Sequence, residues 1–215
     1  MSLTVQGDLT PALARRRGAC ALIAIKERGR CKTRLGQVLD ERERVELVRS
    51  MLATVLAAAA DAQTVQQTIV VSPERDQIPA DIPVLADTGE SLNAALAQAH
   101  GMLRELDCRE IVVLHADLPR ITAAEIDALV RAGRTSGFSI APDGSGTGTN
   151  ALCLVSGQPF RFQFGPDSQQ LHLQEARRMG LTPQIVRLPG LELDVDVPAD
   201  LALLGEQQWR TRLRA

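Results

Sequence analysis

The chain has 215 residues and 45% hydrophobic content, enough to build a real core. Its 24 basic and 26 acidic residues nearly cancel, which excludes a global field for gripping a nucleic-acid backbone or an anionic membrane. Aromatic residues are 2% of the chain with no tyrosine, so repeated stacking platforms for single-stranded bases are excluded too.

From the amino end, residues 1–17 carry little apolar pattern and read as a disordered tail ahead of a single domain over residues 18–215. Arg15, Arg16 and Arg17 precede the apolar stretch Ala19–Ile25, but that stretch stops at Lys26 with no small-residue cleavage pattern after it, so it reads as a first strand and not an export signal. Further strands are expected at Thr68–Ser72, Val84–Ala86, Ile111–Leu114, Ser139–Ala141, Leu152–Val155 and Gln184–Arg187. Between them lie amphipathic stretches. One starts near Asp40, where Asp40 and Glu43 resemble a capping box and Val45, Val48, Leu52 and Val55 share a face. Thr122 and Glu125 repeat the box, and Ser91–Leu106, Ser168–Met179 and a last helix from Pro198 to Leu213 complete the set. The alternation predicts an α/β fold, a mostly parallel sheet with helices on both faces. No segment approaches the roughly 20 apolar residues of a membrane helix. Cys20, Cys31, Cys108 and Cys153 lack the spacing of zinc or redox motifs and read as reduced thiols, so the expected location is cytoplasmic.

The densest chemical signal is Asp143-Gly144-Ser145-Gly146-Thr147-Gly148-Thr149-Asn150, whose glycines let the backbone turn N–H groups toward an anion. Two acidic motifs flank it. Asp117 follows the apolar run Ile111–Leu114, at the carboxyl end of a buried strand, where open α/β sheets bind ligands and where a carboxylate can share Mg²⁺ with substrate phosphates. The competing role for Asp117 is to cap the helix beginning near Thr122. Leu193-Asp194-Val195-Asp196-Val197-Pro198 alternates, so in an extended segment Asp194 and Asp196 face one way; a metal between them or a solvated acidic edge both fit. Lys26, Arg28, Arg30, Lys32 and Arg34 decorate the loop after the first strand, and spacing does not choose among Lys26, Lys32 and Arg34. Asp87 to Asn93 combines turn residues with a helix start and could read a base edge, while Phe164-Gly165-Pro166-Asp167-Ser168 opens another helix, a ready anion site. His100 and His172 read as helix-surface residues; His115, two before Asp117, reads as support for the strand end, with a place near the site as the alternative. No general base stands out, which suits an acceptor phosphate whose second pKa is about 6, already a nucleophile at neutral pH.

Taken together, Lys26 with Cys31-Lys32-Thr33-Arg34-Leu35, Asp87 to Asn93, Ala116-Asp117-Leu118-Pro119, Gly146 to Asn150, Phe164 to Ser168 and Asp194 to Pro198 resemble the guanylyltransferases of coenzyme F-420 biosynthesis, the CofC family, within the MobA-like nucleotidyltransferases. The resemblance runs from about Ala19 to Leu204 and implies a Rossmann-like three-layer α/β/α domain. It implies that GTP is joined to a phosphorylated three-carbon acid (2-phospho-L-lactate, phosphoenolpyruvate or 3-phospho-D-glycerate) with release of pyrophosphate. By the same resemblance Asp117, Asp194 and Asp196 would hold Mg²⁺, Lys26 and Lys32 would meet the triphosphate, and Asn93 would lie near the guanine. Arg34 and Asp87 would complete the nucleotide loops, and Thr149, Gly165 and Ser168 would hold the acceptor. Two positions depart from the family pattern: Ala24-Ile25-Lys26 stands for Pro-Val-Lys, and Ser91 for a glycine. The expected partners are these small molecules, a second copy of the chain, and the next biosynthetic enzyme as recipient of a reactive phosphoanhydride. Neither nucleic acid nor membrane is among them. A molybdenum-cofactor nucleotidyltransferase and a non-catalytic GTP sensor are the rival readings. The Phe164–Ser168 segment, which suits a compact acid, argues against the first, and the three carboxylates argue against the second.

Overall fold

The computed structural model describes residues 5–6, 18–25, 32–76, 78–86 and 91–204. Its strands are β1 (Val5–Gln6), β2 (Ala19–Ala24), β3 (Val65–Ser72), β4 (Val84–Ala86), β5 (Glu110–His115), β6 (Phe138–Pro142), β7 (Thr149–Val155) and β8 (Gln184–Ile185). They form one eight-stranded sheet in the order β1-β4-β3-β2-β5-β7-β6-β8. The pairs β4–β3, β3–β2, β2–β5 and β6–β8 are parallel, while β1–β4, β5–β7 and β6–β7 are antiparallel. All seven strands expected from the sequence are present. The eighth, β1, lies inside the segment read as a tail: Val5 and Gln6 pair with Leu85 and Val84. A two-residue edge strand leaves too short an apolar pattern to register in the sequence.

The helices are α1 (Glu41–Asp61), α2 (Leu92–Glu105), α3 (Ala123–Ser136), α4 (Ser168–Arg178), α5 (Pro189–Glu192) and α6 (Pro198–Leu204), with a 3₁₀ turn at Thr33–Gln37. Both capping boxes form. The Asp40 carboxylate accepts from the Glu43 N–H at 2.8 Å and Glu43 accepts from the Asp40 N–H at 3.0 Å, with the same reciprocity between Thr122 and Glu125. Each cap is worth about 1 kcal/mol over alanine. The buried face of α1 differs from expectation: Leu47, Met51, Leu52, Val55, Leu56, Ala58 and Ala59 face inward, whereas Val45 is 42% exposed. Val45 is displaced because the true stripe runs Leu47-Met51-Val55-Ala58, a rotation that the small alanines concealed.

Alternate residues of β2 feed opposite layers. Ala19, Ala21 and Ile23 join a core with Leu52 and Val55 of α1 and Ile126, Leu129 and Val130 of α3. Cys20, Leu22 and Ala24 join the other, with Leu96, Ala99 and Leu103 of α2, Ala176 of α4 and three phenylalanines. This is the three-layer α/β/α architecture. A third, smaller core brings Leu35 and Leu39 of the 3₁₀ region, Leu47 and Met51 of α1, and Leu201 and Leu204 of α6 around Val195. It sits beside the carboxyl edge of the central strands and assembles distant parts of the sequence there.

Candidate active site

The segment Leu193–Asp196 shows why the acidic pair converges. Val195 is fully buried in the third core, so its neighbours Asp194 and Asp196 are turned to the opposite side, as alternation expects. Asp200, in the first turn of α6, accepts from the backbone N–H groups of Asp196 and Val197, both at 2.8 Å, and fixes that backbone. Asp117 arrives from the turn after β5, anchored by the fully buried Leu118. Asp117, Asp194 and Asp196 each offer an oxygen, all lying within 4.8 Å of one another.

Lys32 supplies the opposing charge. Its Nζ donates to Asp117 at 2.5 Å and to Asp196 at 2.6 Å, with its side chain only 7% exposed. Burial alone would lower the Lys32 ammonium, but attraction to Asp117 and Asp196 overrides it and leaves the group raised and firmly cationic. Lys32 adopts a left-handed conformation at the head of the 3₁₀ turn, whose Leu35 is buried in the same core as Val195. One lysine does not neutralise three acids. Asp194 is pushed up to about 6, first by burial and then by the Asp117 charge, against the pull of a hydrogen bond from Asn150.

Asn150 was not singled out by its sequence context, yet it organises this end of the site. Fully enclosed at the start of β7, its amide donates to the Leu191 and Glu192 carbonyls at 3.0 and 3.2 Å and to Asp194 at 3.3 Å. The run before it does wrap an anion, but that anion is the protein's own. The Asp143 carboxylate accepts from Ser145 Oγ at 2.9 Å and from the Thr147 N–H at 3.0 Å. Burial would raise Asp143, and contacts from Gly148, Ser145 and Thr147 hold it below the usual carboxylate range instead. A Cβ at Gly148 would lie 2.7 Å from Asp143 Oδ2, so the loop closes only with glycine there. Asp143, at the first position of the run, thus turns back on the groups that follow, as in an Asx turn, and takes up part of the donor capacity that the sequence offers to a phosphate.

The loop's other end is tied to α4, where the Gln169 N–H donates to the Thr147 carbonyl at 3.1 Å. Thr149 and Ser168 are both buried here, and Gly165, at φ 135°, has open space where a side chain would stand. No side chain caps α4, whose N-cap residue Asp167 is left-handed. Backbone carbonyls serve that end instead: the Ser168 N–H donates to the Gly165 carbonyl at 3.2 Å, beside the Gln169–Thr147 bond. Asn93, which the resemblance puts near the guanine, also has a structural task. Its Oδ1 accepts from the Phe164 N–H at 2.8 Å and its Nδ2 donates to the Phe164 carbonyl at 3.1 Å, clipping the segment at Phe164 to the start of α2.

The histidines are not on helix surfaces. His172 is fully buried and His100 is 2% exposed; burial lowers both to about 4. Together with His115 they pack against Phe160, Phe162 and Phe164, the centroid distances running from 4.7 Å for Phe164–His172 to 6.0 Å for His100–Phe162. The signal was the period-2 spacing Phe160-x-Phe162-x-Phe164, which lines one side of an extended segment. Arg34 is exposed on the 3₁₀ turn. Lys26 and Asp87 lie outside the described residues.

Three acids and a lysine thus gather at the carboxyl edge of a three-layer α/β sheet, the edge at which such folds bind ligands. Solved structures share the fold: a candidate nucleotide-diphospho-sugar transferase from Desulfovibrio desulfuricans G20 superposes with TM-score 0.74 at 18% identity, over 91% of this chain and 94% of that one. A 4-diphosphocytidyl-2C-methyl-D-erythritol synthase gives 0.57 at 15% identity, over 92% and 100%. The model of the guanylyl transferase CofC like family matches residues 19–208, and the chain belongs to that family. Among its relatives, the phosphoenolpyruvate guanylyltransferase of Roseiflexus castenholzii is 36% identical over 89% of this chain and 90% of its own length. That of Mycobacterium leprae is 37% identical over 84% and 85%.

Proposed function

We propose that this guanylyltransferase joins the GMP moiety of GTP to a phosphorylated three-carbon acid, phosphoenolpyruvate first among them, with release of pyrophosphate in coenzyme F-420 biosynthesis. The observation that carries the reading is the Lys32 ammonium held between Asp117 and Asp196, with the Asp194 carboxyl alongside, raised by burial and by Asp117. Such a cluster asks for more positive charge. The spread of its oxygens, 4.8 Å at most, is close to the roughly 4.2 Å across an octahedral Mg²⁺ shell. Asp117, Asp194 and Asp196 would hold Mg²⁺, which when bound would offset charge on the transferring phosphoryl group and the leaving pyrophosphate.

In the reaction an oxygen of the acceptor phosphate forms a bond to the α-phosphorus of GTP, and the bond from that phosphorus to the bridging α–β oxygen breaks. The acceptor phosphate is mostly dianionic at neutral pH, so no base has to remove a proton. This suits a chain in which burial lowers both His100 and His172 to about 4. Lys32 keeps its charge for the triphosphate, a role shared with Lys26 and Arg34. Asp87 and Asn93 are assigned to the guanosine. Thr149, Ser168 and the Gly165 backbone receive the acid. Among the described residues no helix is long and apolar enough to cross a membrane, and this reading places the enzyme in the cytoplasm with its substrates. The phosphoanhydride product is suited to direct transfer to the enzyme that consumes it.

The test is pyrophosphate release with Mg²⁺, crossing GTP, CTP, ATP and UTP with phosphoenolpyruvate, 3-phosphoglycerate, 2-phospholactate and no acceptor. Release that needs GTP and one acid establishes the reaction. Release with CTP and a pterin, or tight GTP binding without turnover on any acid, overturns it.

A further inference from the structure

We infer that His172 is a positioning residue that commits the Thr149 hydroxyl to donate its proton to the acceptor, so that this subsite accepts only an oxygen without a hydrogen of its own. The identity of the acceptor rests on the function proposed above. The hydrogen-bond geometry does not.

The Gln163 backbone N–H lies 2.9 Å from His172 Nε2. A backbone N–H can only donate, so Nε2 is an acceptor and the neutral ring carries its proton on Nδ1. Nδ1 is 3.0 Å from Thr149 Oγ1 and therefore donates to it. That bond occupies a lone pair of the hydroxyl and leaves its proton unspent. Thr149 is 3% exposed, and its hydroxyl has no second hydrogen-bond partner among the described residues. A buried O–H without an acceptor is costly. A substrate oxygen can relieve that cost.

The surroundings hold this polarity. Phe164 packs edge-on against the imidazole at 4.7 Å and Phe160 lies tilted beside it at 5.9 Å, which restrains the ring from turning over. Burial keeps His172 neutral, and protonation would set an Nε2–H against the Gln163 N–H. Ser168 stands one turn before His172 on the same face of α4. The hydroxyl of Thr149 thus offers its positive end only, while the Ser168 and Gln169 N–H groups at the start of α4 are already given to the Gly165 and Thr147 carbonyls. Phosphate and carboxylate oxygens fit such a subsite, and a hydroxyl that needs to donate does not.

The first measurement is the tautomer of His172 in the full chain by ¹⁵N-resolved NMR of the imidazole at pH 7.5. A protonated Nδ1 with bare Nε2 is expected; a protonated Nε2 overturns the inference whether or not the protein turns over. The second is a double-variant cycle. Thr149→Val and His172→Phe should each raise KM for the acid by about 10- to 100-fold, the loss of a hydrogen bond to a charged group, with KM for GTP nearly unchanged. The double variant should be no worse than Thr149→Val alone. Multiplying losses, or a rise in KM for GTP of the same size, would show that His172 acts through general packing and overturn the inference. Should wild type release no pyrophosphate with any acid, the proposed function fails and the tautomer alone decides this one.

Discussion

Two shielded aspartates on opposite edges of the sheet show how the same side chain is made structural in one place and reactive in another. Asp127, on α3, accepts from the Thr64 N–H at 2.8 Å, the Thr64 hydroxyl at 2.6 Å and the Gln63 N–H at 3.3 Å, at the amino edge of the strands. Burial alone would raise it, and those donors hold it below the usual range. Asp194, at the other edge, has the Asn150 amide, its own backbone N–H and two carboxylates for neighbours, and it is pushed up to about 6 by burial and by Asp117. A carboxylate ringed by N–H and O–H donors is complete as it stands. One ringed by other carboxylates is complete only when a cation arrives.

The largest effect should come from breaking the incomplete edge. Asp117→Ala should lower turnover by about 10³-fold or more, a loss of several kcal/mol of charge stabilisation, while leaving the circular dichroism spectrum and melting temperature close to wild type. A near-normal rate in a folded variant would remove Asp117 from the chemistry. Asp127→Ala should invert that pattern. Stranding the Thr64 and Gln63 donors should cost about 1–3 kcal/mol in urea unfolding, with kcat within about twofold of wild type; a large kcat loss at full stability would erase the contrast.

A subtler effect concerns pH. Because the folded pKa of Asp194 is raised from 3.8 to about 6, its protonation contributes stability that is full below 3.8 and lost as pH rises through about 6. Asp127 runs the other way, its contribution present above the ordinary carboxylate range and lost as pH falls through its depressed value. In metal-free protein Asp194→Asn should therefore melt a few degrees above wild type at pH 8, with the gap closing as pH falls below about 6. A gap of constant size across that range would mean that Asp194 is not held unpaired.

Most of the architecture was legible because its signals are local. Each of the seven strands is a short apolar run, and the boxes at Asp40 and Thr122 are complete within four residues. The face of α1 was read partly wrong because alanines carry little hydrophobic contrast. The acid cluster was legible for a different reason: Asp194 and Asp196 alternate with a core residue, Val195, so one side had to be acidic. What stayed hidden depends on partners far along the chain. Nothing near Asn150 announces its bonds to Leu191, Glu192 and Asp194, nothing near His172 announces Thr149, and Asn93 is fixed by a loop 71 residues away. Within the Gly-Thr run, the composition announced a loop rich in donors but not that Asp143 would engage Ser145 and Thr147.

We propose that the acids of the carboxyl edge await a divalent cation. The most direct test is thermal melting of metal-free wild type and Asp194→Asn at pH 7.5, with and without Mg²⁺ and GTP together. Wild type should gain stability on addition and the variant should gain little, because the variant has already lost the charge that the cation would answer. Equal gains in the two proteins, or none in wild type, would contradict the account.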